Sequence, residues 1–286
     1  MENATPMLRQ YLEIKKLYPG TLLMSRLGDF YELFDEDAII GSRELDITLT
    51  ARHKASPNPI PMCGVPHHAA ANYISRLVKK GYRVAICEQT EVATKGVKLV
   101  KRQVVRVITP GTAVDPQLME SKESLYLAAI CGGGEIFGAA FLELSTGDFS
   151  AAQFSGSNSW EKVREQIEGY APREILFPES LGRMIEASFA SENLPTSLLP
   201  QKSPASNPAL KTDSRAITLT PLDDSNFHET DAVNLLMRQF KVNELTAFGL
   251  EGKTQAIRAA GACLRYAHGT QGQFTRLFNH AAIKPG

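Results

Sequence analysis

The stretch Gly28-Asp29-Phe30-Tyr31-Glu32-Leu33-Phe34 decides how the front of the chain is read. Gly28-Asp29 is a tight-turn pair between two extended runs, Thr21 to Leu27 and Phe30 to Phe34, so the segment predicts a β-hairpin. Side chains alternate along a strand; Phe30 and Glu32 therefore share one face, while Tyr31 and Leu33 project from the other. Working outward, Thr5 followed by Pro6 is an N-cap with proline at the first helical position. Met7, Leu8, Tyr11, Leu12 and Ile14 then keep helical spacing until Gly20. Beyond the hairpin a helix is expected through Ala38, Ile39 and Ile40, and a strand at Ile47 to Leu49. Pro57, Pro59 and Pro61 with Gly64 and Pro66 predict a long punctuated loop. A helix over Ala70 to Lys80 puts Tyr73, Ile74, Leu77 and Val78 on one side ahead of Gly81. Arg83 to Cys87 and Val104 to Thr109 read as strands, the second ending at Pro110-Gly111. The alternation makes the first half a mixed α/β domain.

A polar stretch from Ala113 to Ser124 leads into a second unit. Leu125 to Ile130, Ile136 to Leu144 and Phe149 to Phe154 predict three strands in meander order. Trp160 to Ile167 predicts a helix capped by Ser157 or Ser159, Glu174 to Phe177 a strand, and Ser180 to Ala190 a further helix. Between Ser191 and Asp213 stand Pro195, Pro200, Pro204 and Pro208 among serines, the make-up of a surface loop or insertion. Glu229 to Phe240 and Lys253 to His268 are amphipathic, with Ala256, Ile257, Ala260, Cys263, Leu264 and Ala267 as the apolar stripe of the second. Three strands followed by alternating helices and a strand predict a ribonuclease-H-like α/β layer.

The 286 residues are 43% hydrophobic and 22% charged, which excludes disorder of the whole. At roughly 100 to 200 residues per domain the length calls for two domains. No apolar run reaches the roughly 18 residues of a membrane helix, the nearest, Leu125 to Leu144, being broken by Gly132-Gly133-Gly134-Glu135. Met1-Glu2-Asn3-Ala4-Thr5-Pro6 lacks the basic and apolar regions of an export signal. Cys63, Cys87, Cys131 and Cys263 show no paired spacing, so the reducing cytoplasm is expected and neither a zinc site nor a disulfide framework is. The formal net charge is zero, yet residues 1–112 hold 16 Lys and Arg against 11 Asp and Glu. The excess lies between Arg76 and Arg106, where Arg76, Lys79, Lys80, Arg83, Lys95, Lys98, Lys101, Arg102 and Arg106 meet only Glu88 and Glu91. Two readings stand: a solvated face, or a stripe that holds an anionic polymer.

Several chemistries fall away. Gly252-Lys253-Thr254 has Ala247 where a P-loop needs its first glycine, so it reads as a helix start. No HExxH, GxSxG or EF-hand loop occurs. His67 and His68 are adjacent on an extended backbone and make a poor metal pair, better suited to a loop. A ribonuclease-H-like sheet admits a metal-dependent nuclease, with Glu143 and Asp148 as candidate carboxylates; both flank a Ser-Thr-Gly turn, where local hydrogen bonding is the competing role. For Phe30 and Glu32 two readings also stand. Phe30 is core and Glu32 is solvated, or Phe30 is an exposed wedge that unstacks and kinks a duplex from the minor groove while Glu32 accepts a hydrogen bond from the base edge. A carboxylate facing phosphates needs cations beside it.

Gly28 to Phe34, Leu45 to Thr50, Ile60 to His68, Val84 to Gln89 and Val107 to Thr112 together resemble the amino-terminal mismatch-recognition domain of the MutS family of DNA mismatch repair proteins. Leu144-Ser145-Thr146-Gly147 and Ala259 to Ala267 resemble that family's connector domain. The resemblance divides the chain into a mismatch-recognition domain at 1–112, a linker at 113–123, a ribonuclease-H-like connector at 124–270 and the start of a link to further domains at 271–286. It implies binding of mismatched double-stranded DNA, with Phe30 stacking on the mispaired base, Glu32 hydrogen-bonding to it, and Arg52, Lys95, Lys98, Lys101, Arg102 and Arg106 holding DNA. It also implies a MutL-type partner on the connector, a homodimer, and a nucleoid-associated place in the cytoplasm. ATP and magnesium belong to the family's carboxy-terminal domain, which a chain ending at Gly286 is expected to lack; no enzyme activity is expected of this piece. A protein-interaction scaffold acting through the connector is the remaining alternative. Departures are a longer Lys95 to Arg102 segment, Glu143 where Asp is more usual, and the 191–213 stretch.

Overall fold

The computed structural model describes residues 5–52, 59–91, 100–113, 124–189, 217–271 and 282–285. Lys95, Lys98, the 191–213 stretch and most of the 113–123 linker lie outside the described residues. The chain divides into two units, with Thr109 in the first and Pro110 to Ala113 in the second.

The first unit runs α1 (Pro6–Leu17), β1 (Thr21–Leu27), β2 (Phe30–Phe34), α2 (Asp35–Leu45), β3 (Thr50–Arg52), β4 (Ile60–Pro66), α3 (Ala70–Lys79), β5 (Arg83–Gln89) and β6 (Arg102–Ile108). The strands form one sheet in the order β3-β4-β2-β1-β5-β6, antiparallel except where β1 lies parallel to β5. Thr5 caps α1, its hydroxyl accepting from Leu8 N at 3.4 Å. Leu8 and Tyr11 of α1 pack on one sheet face with Leu23, Phe34, Ala85, Cys87 and Val107. On the other face α2 comes so close that a Cβ on Gly41 would lie 3.1 Å from Leu33 and 3.4 Å from the Cys63 thiol. Both faces are covered, so consecutive residues Leu33 and Phe34 are both buried.

Two expectations are corrected here. Ile47 to Leu49 is not a strand: α2 ends at Asp46 in the left-handed region, φ 55, and pairing resumes only at Thr50. The prolines around 61 do not make a loop, because Ile60–Pro66 is a strand between β3 and β2. They are tolerated by position: β2 pairs with β4 only from Pro66 to Met62, so Pro61 lies past the end of β2 and Pro66 closes the strand.

The second unit runs β7 (Tyr126–Gly133), β8 (Ile136–Glu143), β9 (Asp148–Ser155), α4 (Ser159–Tyr170), β10 (Glu174–Pro178), α5 (Gly182–Phe189), β11 (Thr218–Leu222), α6 (Glu229–Phe240), α7 (Thr254–Gln271) and β12 (Ala282–Pro285). The sheet order is β11-β10-β7-β8-β9-β12. β7, β8 and β9 form the expected meander; β10 lies parallel to β7, β11 to β10, and β12 to β9. This is the expected ribonuclease-H-like layer, enlarged by β11 and β12, which the sequence did not announce. Asn158, not Ser157 or Ser159, holds the cap position of α4, and its side chain makes no capping bond. Alternate β7 residues serve opposite cores: Leu127, Ala129 and Cys131 face α6 and α7, and Ala128 and Ile130 face α4 and α5. Among the described residues no helix is long and apolar enough to cross a membrane.

Candidate nucleic-acid interface

β1 and β2 meet in a two-residue turn where Gly28 takes φ +60, the sign that glycine tolerates at the first turn centre. The turn is held from both sides. Arg26 Nε donates to the Gly28 carbonyl, and the His67 N–H, just past β4, donates to the Asp29 carbonyl at 2.8 Å. Phe30, the first residue after the turn, pairs with Leu27 and Pro66 in the backbone register. Phe30 is nevertheless 47% exposed, because α1 covers this face only further along, over Leu23 and Phe34. The core phenylalanine of this strand is Phe34. Phe30 is an aromatic held in solvent on a strand paired on both sides.

Glu32 lies on the same face, opposite Ser25 and Gly64. It is not a solvated carboxylate, since its side chain is only 18% exposed. A Cβ on Gly64 would sit 3.5 Å from Glu32 Cγ, so the glycine leaves this side chain its room. Arg52 Nη1 reaches Glu32 Oε2 at 3.4 Å, and the Arg52 guanidinium lies 5.7 Å over the Phe34 ring. Arg102 completes the group from the start of β6; its Nη1 donates to Gln10 Oε1 at 3.1 Å and to the Val100 carbonyl at 3.2 Å, its Nε to the Arg26 carbonyl at 3.3 Å. Burial pushes the Glu32 carboxyl above its ordinary pKa, against the opposing pull of Arg52 and then Arg102. The result is an apolar ring beside a partly desolvated acceptor whose compensating cations are built in.

A buried polar group fixes the sheet at the end of β2 away from the turn. Asp37, on α2, accepts from the Tyr11 hydroxyl at 3.0 Å, from Leu23 N at 2.9 Å and from Lys15 Nζ at 2.7 Å. The Tyr11 hydroxyl also donates to the Leu23 carbonyl at 3.1 Å and accepts from Phe34 N at 3.3 Å. One carboxylate thereby ties α1, β1 and α2 around the root of β2. Asp37 sits in an acidic Asp-Glu-Asp start that reads as helix-dipole compensation, which hid its role from sequence reasoning. Arg26 was likewise missed, since its Nε works on a backbone carbonyl.

The other expected cations are not gathered as one stripe. β5 runs parallel to β1, so Arg83, paired with Thr21, is at the end of the sheet away from the hairpin, and Gln89 is at the near end. Six residues of strand separate them, roughly 20 Å. At the far end Lys80 pairs with Glu44 Oε2 at 3.1 Å and Arg83 donates to the Pro19 carbonyl at 3.3 Å. Arg106 is on the opposite face: a β-bulge opposite Ile86 and Cys87 pairs Ile86 with Arg106 and Cys87 with Val104, switching the alternation. Lys101 is exposed beside Arg102, with its carbonyl accepting from Thr90 N at 3.0 Å. Phe30, Glu32, Lys101 and Arg102 thus lie towards the hairpin end of the first sheet, and Arg52, paired with Ile60 towards the other end, joins them through the reach of its side chain to Glu32.

In the second unit Glu143 and Asp148 face each other across β8 and β9. Glu143 accepts from Ser145 N at 3.2 Å, Ser145 Oγ at 2.8 Å, Thr146 N at 2.7 Å and the Thr146 hydroxyl. Asp148 accepts from the Tyr126 hydroxyl at 2.8 Å. The Glu143 oxygens bind the Ser145-Thr146 turn and the Asp148 carboxylate binds Tyr126 of β7, the local hydrogen bonding that competed with a metal role. Among the described residues no cluster of three or more His, Cys, Asp or Glu could hold a metal ion. Thr254 starts α7, and its hydroxyl donates to Glu229 Oε1 of α6 at 2.9 Å.

Comparison with known proteins bears on both units. The family model for MutS domain I matches residues 5–117 and that for MutS domain II residues 125–281. The DNA mismatch repair protein MutS of Solibacter usitatus (strain Ellin6076) is 42% identical over 94% of this chain and 28% of its own length. MutS of Myxococcus xanthus (strain DK1622) is also 42% identical, over 94% of this chain and 28% of its own. MutS of Alkaliphilus metalliredigens (strain QYMF) is 39% identical over 99% and 30%. The chain spans less than a third of the length of these relatives.

Proposed function

The chain belongs to the MutS family, and from that premise we propose that its first unit binds double-stranded DNA at mispaired steps. Phe30 enters from the minor groove and stacks on the mispaired base, and Glu32 accepts a hydrogen bond from that base or, protonated, donates one. The observation that carries this reading is the exposure of Phe30 on a braced hairpin, one side chain away from a carboxylate that the fold half-buries and flanks with Arg52 and Arg102. A ring held in solvent on a paired strand has lost little freedom when it inserts, so the unstacking energy of a few kcal/mol is met by stacking rather than by ordering a loop. Mispaired steps kink more cheaply than paired ones, which makes the wedge selective without a base code. In this reading the second unit is the connector that meets a MutL-type partner, and the whole protein works as a dimer in the cytoplasm.

Fluorescence anisotropy at low salt, on two duplexes identical but for one G·T mispair, tests the proposal. Phe30→Ala is expected to abolish the preference for the mispair while keeping weak binding to both duplexes, because it removes the wedge and none of the cations. Equal discrimination by mutant and parent would sink Phe30 as the reader.

A further inference from the structure

We propose that the second unit carries an oxyanion-binding site in the cleft between α6 and α7, formed by Arg238 and Arg265. The cleft encloses about 390 Å³ and is lined by Asp231, Asn234, Leu235 and Arg238 of α6 and Arg265 and His268 of α7. These positions repeat at three, four and seven residues, so each helix contributes one face. The two helices are pressed together beneath it: a Cβ on Gly261 would lie 2.3 Å from the Ala232 Cβ.

Arg265 is the telling residue. Its Nε is buried, and no acceptor meets it among the described residues. A buried guanidinium nitrogen without a partner is costly, and such a group calls for a water, an ion or a ligand to meet it. Arg238 lines the cleft from α6, its Nε donating to the Asn234 carbonyl at 3.2 Å, which leaves its Nη groups unused by that bond. Two guanidinium forks on facing helices match the paired oxygens of a carboxylate or a phosphate. Asp231 opposes them only from the rim, where its carboxylate is 57% exposed and lies 3.9 Å from His228 Nδ1. Burial lowers the pKa of His268, so the imidazole is neutral at pH 7 and supplies hydrogen-bonding capacity rather than charge. Leu235 gives the floor an apolar patch.

Free or esterified phosphate and the carboxylate of an acidic side chain present the same oxygens, so the test has two arms. The Arg265 Nε–H resonance is followed by proton–nitrogen NMR while inorganic phosphate, and separately acetate, is raised to about 30 mM at constant ionic strength, roughly thirty times a millimolar dissociation constant. A saturable shift with phosphate alone assigns a phosphate-bearing ligand; one with acetate of equal or greater affinity assigns a carboxylate. In either case Arg238→Gln is expected to weaken binding about tenfold. Arg265→Gln should abolish phosphate- or acetate-dependent shifts of the neighbouring backbone amides; if it does not fold, the parent titration decides alone. No saturable shift with either anion overturns the proposal.

Discussion

Glu32 sits where folding alone would not place a carboxyl, under-solvated at a sheet end and raised in pKa by burial more than Arg52 and Arg102 lower it. A group whose folded pKa lies above its unfolded value stabilises most when protonated, and that contribution is lost as pH rises through the folded pKa. Ionised Glu32 is therefore a burden on stability at pH 7 that its neutral isostere would not carry. Glu32→Gln is expected to raise the thermal midpoint at pH 7, the gain shrinking towards zero below about pH 4, near the ordinary glutamate value. A lowered midpoint at pH 7 would mean that the Arg52 pair outweighs burial. The neighbouring cations separate by the same logic. Lys101 is exposed, so Lys101→Gln should weaken binding to all duplexes and reduce the slope of log affinity against log salt by about 0.9, one phosphate contact. The Arg102 guanidinium is engaged with Gln10 and the Arg26 and Val100 carbonyls, so Arg102→Gln should lower the thermal midpoint as well. A salt slope unchanged in Lys101→Gln would place that side chain away from phosphate.

Elements carry these residues, and the hairpin depends on a tie between the two helices that flank it, α1 and α2. Asp37→Asn keeps the shape but removes the buried charge that pairs with the partly exposed Lys15; a loss of about 2–3 kcal/mol in denaturant unfolding is expected. In the second unit Gly261→Ala should destabilise by about 1–3 kcal/mol, because overpacking against Ala232 exceeds the roughly 1 kcal/mol that alanine gains in a helix. A stabilised Gly261→Ala would mean that α6 can withdraw freely. The hairpin, α1, α3 and the β7–β9 meander were legible because their signals are local: turn pairs, caps and alternation. β4 was not, since its prolines look like loop punctuation until the end of β2 is known. The Arg106 face was hidden by the bulge, which is a property of two strands together. Phe30 and Glu32 could be paired from alternation, but that one is exposed and the other half-buried depends on where α1 stops, and Arg52 and Asp37 meet their partners only through sheet order.

For the molecule as a whole, charge and shape act on different parts of binding. The formal net charge is zero, so duplex attraction must come from local cations rather than from an overall field. Those cations meet phosphates, and phosphates are the same in a mispaired duplex and its paired twin. The counterions released on binding are therefore equal in number, and log Kd for the two duplexes should rise with log salt along parallel lines. The wedge contributes at the mispair through unstacking and stacking, neither of which releases counterions, so the ratio of affinities should hold constant from about 50 to 200 mM salt while both affinities fall. Phe30→Ala should collapse the two lines onto one without tilting it, and Lys101→Gln should tilt both together without closing the gap. Lines for the parent that converge with salt would show that discrimination is itself electrostatic, carried by a different number of phosphate contacts on the bent duplex, and would move the reading of the mispair from Phe30 to the cations around it.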